Sequence, residues 1–184
     1  MQDFLKPEKT IKEFGIVPGN KVADFGAGTG AFSFEAAKIL EGTGKVYAVE
    51  VQKDMLPRIK NEAMSRNVSN IEIIWGDIEK QRGTKIADNV IDVVMMVNVF
   101  FLLPEKDNCA REIYRVLKPG GRVCVVDWSD SFSSMGPVPE MVVRKEDIIA
   151  RFERFGFKMI NNIMNAGDHH YGVILQKIDK KDGQ

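Results

Sequence analysis

The sequence lacks several features that would restrict its class at once. Its 184 residues include only two cysteines, and 26 basic residues are balanced by 26 acidic residues, so the formal net charge is zero. A chain without net charge produces no overall field that would gather a nucleic-acid backbone. We therefore expect a small-molecule partner and no nucleic acid, while the composition leaves the oligomeric state open.

Cysteine usage and the first residues bear on the compartment. Cys109 and Cys124 lie inside apolar patterns, not at the spacing of a disulfide framework or a zinc site. The N-terminal residues lack the basic stretch and the apolar core of a signal peptide. Both observations predict a cytoplasmic protein.

Long hydrophobic runs and metal-binding clusters are also missing from the sequence. The longest apolar run, Val93 to Leu103, is interrupted by Asn98 and is well short of the roughly 20 residues that a membrane-spanning helix needs. The only histidines, His169 and His170, are adjacent, and neighbouring strand residues point to opposite faces, which makes a poor chelate. We expect no membrane span and no metal.

What the sequence does contain is an alternation of strand and helix patterns. Short apolar runs rich in β-branched residues are typical of strands covered on both faces, and amphipathic stripes between them indicate helices. The last two strands are joined too closely for a helical crossover, so they form an antiparallel hairpin. This predicts an α/β fold with a doubly wound, seven-stranded, mostly parallel, Rossmann-like sheet. The predicted strands are Lys21–Phe25, Lys45–Val49, Ile71–Trp75, Ile91–Val97, Arg122–Val126, Phe157–Ile163 and His170–Lys177.

The chain length fits one domain. A typical domain has about 150 residues, so we expect residues 1–178 to form a single domain, followed by a polar tail at 179–184. The connection from Ile78 to Val90 is mostly polar and predicts a helical turn at most, whereas Ser129 to Arg144 is the longest loop.

A glycine-rich loop follows the first strand, in the run Asp24-Phe25-Gly26-Ala27-Gly28-Thr29-Gly30, directly before a predicted helix. Glycine permits a sharp turn and a close ligand approach, and the free amides of a helix start favour a carboxylate or a phosphate. Because Gly26, Gly28 and Ala31 also fit a dinucleotide pattern, the glycine spacing alone leaves the cofactor open.

Acidic residues end the next two strands. Glu50 emerges beside the glycine loop, where a carboxylate accepts hydrogen bonds from both hydroxyls of a ribose. Asp77, after Trp75-Gly76, is suited to an exocyclic amine beside the apolar Ile78. A solvated glutamate and an aspartate helix cap are the structural alternatives.

Taken together, these motifs resemble those of class I S-adenosylmethionine-dependent methyltransferases, from Phe4 to Lys177. Val22–Ser33 matches the glycine motif, Leu117–Arg122 is similar to a further motif before the fifth strand, and the final strand matches the family's reversed one. The resemblance implies that Asp24 lies near the amino-acid part of S-adenosylmethionine, which favours this cofactor over NAD. The implied cofactor residues are Asp24, Gly26, Ala27, Gly28, Thr29, Gly30, Glu50, Val51, Gly76, Asp77, Ile78 and Asn98.

The acceptor is less well defined by the sequence. Ligands of such sheets bind beyond the carboxyl ends of the strands, where we expect an apolar or planar acceptor, with Phe4 closing the top. His169 or His170 is the candidate general base, oriented by Asp168. The predicted acceptor pocket consists of Phe100, Phe101, Asp127, Trp128 and Phe132.

The motif after the fourth strand also narrows the acceptor class. Amine and nucleobase methyltransferases commonly carry two prolines and an aromatic residue there, whereas this chain has Asn98-Val99-Phe100-Phe101. The nearest likeness is to quinone-biosynthesis C-methyltransferases, although their insert after the fifth strand is reduced here to a short loop. We predict in-line methyl transfer to a small molecule. The alternatives are a cofactor-binding module without catalysis, a protein methyltransferase and an NAD-dependent oxidoreductase.

Overall fold

The computed structural model describes residues 5–132 and 136–178, which form one seven-stranded sheet flanked by helices. The expectations for Phe4 and for the tail at 179–184 fall outside these residues. The strands are β1 (Lys21–Phe25), β2 (Lys45–Glu50), β3 (Ile71–Trp75), β4 (Ile91–Val97), β5 (Leu117–Trp128), β6 (Phe157–Asn162) and β7 (His170–Lys177). The helices are α1 (Pro7–Thr10), α2 (Ala31–Ile39), α3 (Met55–Ser65), α4 (Lys106–Val116) and α5 (Lys145–Arg154).

The strand order is β3-β2-β1-β4-β5-β7-β6, and the predicted fold class is confirmed. Strands β1 to β5 pair in parallel, whereas β7 runs antiparallel between β5 and β6. Because the strand order reverses between β1 and β4, the connections leave this point in opposite directions. They open a crevice at the carboxyl edge of the sheet.

The core lies on both faces of the sheet, as the continuous apolar strands predicted. Along β4, Val94 and Met96 face the layer of α4 and α5, while Val93 and Met95 face α2 and the N-terminal segment. All four side chains are fully buried. The alternation fixes which side of the sheet each later residue of a strand faces.

The start of β5 and the orientation of His169 differ from the predictions for structural reasons. Strand β5 begins at Leu117 instead of Arg122, because Leu117 already pairs with Ile91 before a register shift. His169 precedes β7 and has a left-handed backbone, with φ 63°. Strand alternation therefore does not set the direction of its ring, contrary to the expectation that the two histidines point to opposite faces.

The N-terminal segment is an element that the sequence patterns did not predict. It consists of α1 and a 3-10 turn, Ile11–Phe14, whose apolar side chains pack under the sheet. The Glu13 carboxylate accepts hydrogen bonds from the backbone amides of Met164 and Asn165, both at 2.8 Å. The segment is thereby fastened to the turn between β6 and β7.

The β3–β4 connection contains no helix, as its polar composition indicated, and is held by the buried Glu112 of α4. The Glu112 carboxylate accepts hydrogen bonds from the Arg82 amide at 2.9 Å and the Thr84 hydroxyl at 2.6 Å. Arg115 donates to the same carboxylate at 2.6 Å. Burial tends to raise the pKa of Glu112, but the bonds from Arg115 and Thr84 outweigh it and lower the pKa.

Within the described ranges, none of the helices has the length and apolar character needed to cross a membrane.

Candidate active site

A cavity of about 630 Å³ opens at the carboxyl ends of β1 to β4, at the point where the strand order reverses. Its volume is within the range of small-molecule and cofactor sites. The structure brings most of the predicted cofactor residues together around it. These are Asp24, Gly26, Ala27, Gly28, Thr29, Glu50, Val51, Gly76, Asp77, Ile78 and Asn98.

The three glycines of the loop after β1 have different roles. A Cβ atom on Gly26 would lie 2.5 Å from the Val99 side chain, and one on Gly30 would lie 2.9 Å from Phe34. Those two glycines are required by packing, and Gly30 does not line the cavity. A Cβ atom on Gly28 would meet nothing within 4 Å. Gly28 is therefore the glycine that leaves space for a ligand.

Glu50 joins the tip of β2 to the glycine loop. Its carboxylate accepts hydrogen bonds from the Gly28 amide at 2.8 Å and from the Gln52 amide at 2.9 Å. The residue is only 4% exposed. Each oxygen still has a lone pair to accept from a ligand, so Glu50 presents an oriented anionic acceptor to the cavity.

Asp24, near the end of β1, is a second buried acid in the same cavity. Burial raises its pKa from 3.8 to about 6, and the nearby Glu50 adds to the rise. The Ser33 hydroxyl donates a hydrogen bond to it at 2.6 Å, which opposes part of the effect. A cationic ligand beside Asp24 would favour its ionised form.

The far wall of the cavity comes from the residues after β3. Gly76, Asp77, Ile78 and Glu79 line it, and the Asp77 carboxylate accepts a hydrogen bond from the Glu79 amide at 3.0 Å. This wall begins the connection that Glu112 fastens. It combines an acceptor with the buried apolar side chain of Ile78.

Asn98, just after β4, supplies a polar atom without a protein partner. Its backbone is left-handed, with φ 55°, and its backbone N–H donates a hydrogen bond to the Val126 carbonyl at 2.9 Å. The side-chain Oδ1 is buried and has no hydrogen-bond partner among the described residues. Buried polar atoms are rarely left unpaired, so this oxygen indicates a bound polar group.

In the described part of the chain, the ionisable side chains that line the cavity are all acidic, and one of them, Asp77, pairs with Lys80 outside the lining at 3.1 Å. Asp24, Glu50, Asp77 and Glu79 contribute four carboxyl groups, and no lysine, arginine or histidine occurs among the described residues that line it. An anionic ligand such as a pyrophosphate would find backbone amides here but no basic side chain in the described lining, and four carboxyl groups around it. The cavity therefore favours a ligand with a positive charge.

Comparison with known proteins identifies the family. A sequence model of a methyltransferase-domain family matches residues 16–178, most of the chain. The chain belongs to this methyltransferase family. A solved S-adenosylmethionine-dependent methyltransferase from Aquifex aeolicus is similar to this chain along almost its whole length. The TM-score is 0.86 at 28% identity, over 95% of this chain and 91% of that one.

The curated relatives of this chain are longer proteins. The ubiquinone/menaquinone biosynthesis C-methyltransferase UbiE of Ectopseudomonas mendocina (strain ymp) is 33% identical over 121 residues, or 65% of this chain and 46% of that protein. The UbiE of Pseudomonas aeruginosa (strain LESB58) is 31% identical over 127 residues, or 68% and 48%. The chain spans about half the length of these relatives.

One structural neighbour shows the fold alone. The [4+2]-cyclase SpnF has a TM-score of 0.78 at 16% identity, over 94% of this chain and 79% of that one. The same fold therefore also carries a protein named for a different reaction. The reaction of this chain must be argued from its site.

S-adenosylmethionine is the cofactor of the family, and the residues present fit it. Its sulfonium and ammonium groups outweigh its carboxylate, so it carries net positive charge into a cavity of carboxyl groups. Gly28 leaves room for a ligand, and the unpartnered Oδ1 of Asn98 accepts from a ligand donor. The fit rests on these features of the chain itself.

The predicted acceptor residues lie outside this cavity. The Phe100 ring is fully buried in the core, 5.7 Å from that of Phe152. Asp127 is buried too, and accepts hydrogen bonds from the Phe101 and Trp128 amides. Phe100 and Asp127 therefore support the edge of the site from the core side.

Trp128 and Phe132 pair instead with the two histidines. The Trp128 ring lies 4.2 Å from the His170 ring, and the Phe132 ring lies 4.0 Å from the His169 ring. The His169 Nδ1 lies 2.8 Å from the Asp130 carboxylate, and the His170 Nδ1 lies 2.9 Å from the Asp168 backbone carbonyl. The carboxylate that orients a histidine is thus Asp130, not the expected Asp168.

Several residues that line the cavity were missed from the sequence. Leu5 and Pro7 reach it from the N-terminal segment, and Leu102 and Leu103 reach it from the turn after β4. Pro7 at the start of a helix was an available signal, because proline is favoured there. Asp130 had no local signal, since its partner is 39 positions away.

Proposed function

We propose that the chain transfers the methyl group of S-adenosylmethionine to a small molecule with a planar, largely apolar body. The observation that supports S-adenosylmethionine as the methyl donor is the cavity lined by carboxyl groups and, among the described residues, by no basic side chain. Aromatic and aliphatic residues at the same edge of the sheet support the acceptor side. The relatives are named for C-methylation in quinone biosynthesis, which agrees with a planar ring as acceptor.

Each wall of the cavity has a role in this proposal. Glu50 accepts hydrogen bonds from the ribose hydroxyls, while Asp77 and Ile78 receive the adenine. Asp24 balances the positive charge of the amino-acid part, and the Asn98 Oδ1 accepts from a donor of the cofactor. The support for these roles is the position of each group in the cavity, together with the burial of Asp24, Glu50 and Ile78.

The chemistry requires little covalent participation by the protein. When bound, the cofactor would supply an electrophilic methyl group on a sulfonium. A nucleophile takes this methyl group in line, with the sulfur as leaving group. The glycine loop and Glu50 fix one reactant against the sheet, because they are already joined by the Gly28–Glu50 hydrogen bond. Alignment of the two reactants and removal of water supply up to about 7–11 kcal/mol of the barrier.

The alternatives have weaker support. A nicotinamide dinucleotide would place its pyrophosphate among carboxyl groups, with backbone amides but no basic side chain in the described lining to receive it. A nucleic-acid acceptor has no support from a net charge of zero. A protein acceptor and a binding module without catalysis differ from our proposal in the fate of the methyl group, so both are outcomes of the test.

We also propose that the protein works in the cytoplasm. Cys109 and Cys124 are both buried and unpaired, as expected of thiols in a reducing compartment.

Two measurements test the function. Calorimetric titration should show binding of S-adenosylmethionine and none of NADH. A donor labelled on its methyl group, incubated with the protein and with separated small-molecule and protein extracts, should then label the small-molecule fraction. Label in the protein fraction alone would identify a protein methyltransferase, and binding without transfer would identify a binding module. Binding of NADH alone would contradict the proposed cofactor.

A further inference from the structure

Two histidine–aromatic ring pairs, one tilted by 36° and one stacked, lie at the edge of the sheet beyond the donor cavity. His170 packs on Trp128, and His169 packs on Phe132, with the planes of the latter pair inclined by 23°. All four rings are only partly exposed. They form a group of packed rings outside the cavity described above, which we call the histidine edge.

The strand register relates the histidine edge to the donor cavity. Val97, which lines the cavity, pairs with Val126 on β5, so their side chains share one face of the sheet. Trp128 is two residues further along β5 and faces the same way, and it pairs with His170 on β7. The Trp128–His170 pair thus lies on the cavity's face of the sheet, with its nearer strand, β5, directly beside β4.

His169 is held in a defined orientation by Asp130. Its Nδ1 is 2.8 Å from one carboxylate oxygen of Asp130 and 3.1 Å from the other. A carboxylate only accepts, so Nδ1 carries the proton and Nε2 keeps its lone pair. The described residues provide no partner for Nε2.

The backbone at this point is also unusual. His169 has φ 63°, a region that residues other than glycine rarely adopt, and its carbonyl accepts from the Ser129 amide at 2.8 Å. Such strained conformations are retained where the surroundings hold them, often at functional sites. The same bond joins the start of β7 to the segment that carries Asp130.

A second, independent observation points to a ligand. The His170 Nε2 is buried and has no hydrogen-bond partner among the described residues, while its Nδ1 lies against the Asp168 carbonyl. Burial lowers the pKa of His170, which keeps the ring neutral. An unpartnered ring nitrogen that is buried and neutral, beside a tryptophan, fits a polar group on an aromatic ligand.

We propose that His169 is the general base of the reaction and removes the proton from a hydroxyl group on an aromatic acceptor, with Asp130 as its positioning residue. This rests on the proposed function and defines its acceptor as a phenol or a hydroquinone. The acceptor's ring stacks at the histidine edge. The His170 Nε2 accepts a hydrogen bond from a second polar substituent, either directly or through a water molecule.

The proposed step is balanced. The O–H proton moves to the His169 Nε2, and the resulting imidazolium is stabilised by the Asp130 carboxylate. The electron pair of the oxygen, or of the ring carbon conjugated to it, forms the new bond to the methyl group. The sulfur–methyl bond breaks and leaves its electron pair on sulfur. For carbon attack, the ring proton passes to water, which restores the aromatic ring as a phenolate, and the phenolate oxygen takes its proton back from the His169 imidazolium.

The experiment uses the full chain, a donor labelled on its methyl group and three acceptors: 1,4-dihydroxynaphthalene under reducing conditions, catechol and 4-hydroxybenzoate. The matched acceptor that lacks a hydroxyl proton is 1,4-dimethoxynaphthalene. We expect transfer to at least one hydroxyl acceptor and none to the dimethoxy compound. General-base removal in H169Q should lower kcat by about 100-fold or more. The affinity for S-adenosylmethionine and the thermal unfolding midpoint should stay unchanged.

Asp130 is tested by D130N, with E140Q as the control in the same connection. The titratable groups around His169 are Asp130, Asp168 and the neutral His170. Removal of the Asp130 charge disfavours the His169 imidazolium. D130N should therefore lower kcat and move the acidic limb of the pH–rate profile, where His169 becomes protonated, to lower pH. A variant that changed only the structure would lower activity without moving the limb. E140Q should leave the rate and the profile as they are in the wild type.

The outcomes separate the two proposals. If S-adenosylmethionine fails to bind, the proposed function is wrong. If it binds but no hydroxyl acceptor is methylated, or if H169Q retains the wild-type kcat, the assignment of His169 and the acceptor class is wrong. A D130N profile that matches the wild-type profile would remove Asp130 from its role.

Discussion

At the residue scale, Gly28 differs from the other glycines of its loop in what its missing side chain leaves open. Gly26 and Gly30 are fixed by contacts that an added Cβ atom would make with Val99 and Phe34. Gly28 has only empty space at that position and faces the cavity. A motif of three glycines thus combines two packing requirements with one ligand requirement.

The effect of Gly28 can be separated from backbone strain by a matched glycine. Gly28 and Gly42 both have positive φ, 54° and 75°, and neither has an atom within 4 Å of an added Cβ. G28A and G42A should therefore lose similar stability, about 1 kcal/mol each. In calorimetric titration, only G28A should weaken S-adenosylmethionine binding, by at least tenfold. Equal binding by the two variants would contradict the assignment of Gly28.

Glu50 provides a second test at this scale. The E50Q change removes the charge that the ribose hydroxyls meet, and it keeps the shape of the side chain. We expect S-adenosylmethionine binding to weaken by about 2 kcal/mol, or roughly 30-fold. E72Q, at an exposed Glu72–Lys45 ion pair on the sheet's surface, is the control and should bind normally. A wild-type affinity for E50Q would remove Glu50 from the ribose site.

At the element scale, the wall that contains Asp77 depends on a helix that does not line the cavity. Glu112 of α4 fixes the β3–β4 connection through Arg82, Thr84 and Arg115. The connection has no helix to order it, and this buried carboxylate takes that place. The interaction is long-range, which explains why the polar sequence from Ile78 to Val90 gave no indication of it.

We predict that E112A destabilises the fold by about 3 kcal/mol, because Arg115 and the Thr84 hydroxyl lose a buried anionic partner. E62A, which removes an exposed Glu62–Arg66 ion pair of α3, should cost under about 0.5 kcal/mol. Urea unfolding of the two variants measures both values. Similar losses in the two variants would show that the Glu112 network does not hold the connection.

The extent of sequence prediction also differs between elements. Strands β1 to β5 were predictable because continuous apolar runs are typical of strands covered on both faces. Glu50, Asp77 and Asn98 followed from those strands, since polar residues at strand ends meet at one edge. The N-terminal segment was missed because α1 has only four residues, too few to show a helical period. Pairings such as Asp130 with His169 depend on tertiary contacts, which no local pattern encodes.

At the scale of the whole molecule, the buried acids make stability depend on pH. Asp24 has a folded-state pKa raised from 3.8 to about 6 by burial, so ionisation costs the folded state up to about 3 kcal/mol. The contribution is favourable below the unfolded value and is lost as the pH rises through about 6. Asp127, whose pKa burial also raises to about 6, acts in the same direction.

The D24N variant isolates this effect. Without cofactor, its stability relative to the wild type should increase by up to about 3 kcal/mol between pH 4 and pH 7.5, because an amide does not ionise. Urea unfolding at both pH values measures the change. S33A is not expected to reproduce this direction, since the Ser33 hydroxyl stabilises the ionised Asp24. A difference between D24N and the wild type that is independent of pH would contradict the raised pKa.

The residues that line the cavity all lie between Leu5 and Leu103, whereas the histidine edge begins at Trp128. The two partners of the proposed reaction are thus served by separate stretches of the chain, which are joined by the pairing of β4 with β5 and by the hydrogen bonds of Glu13. Evolution can therefore replace the stretch that contains the histidine edge and change the methyl acceptor without rebuilding the cavity for the methyl donor. Chimeras joined within α4 would exploit the same division.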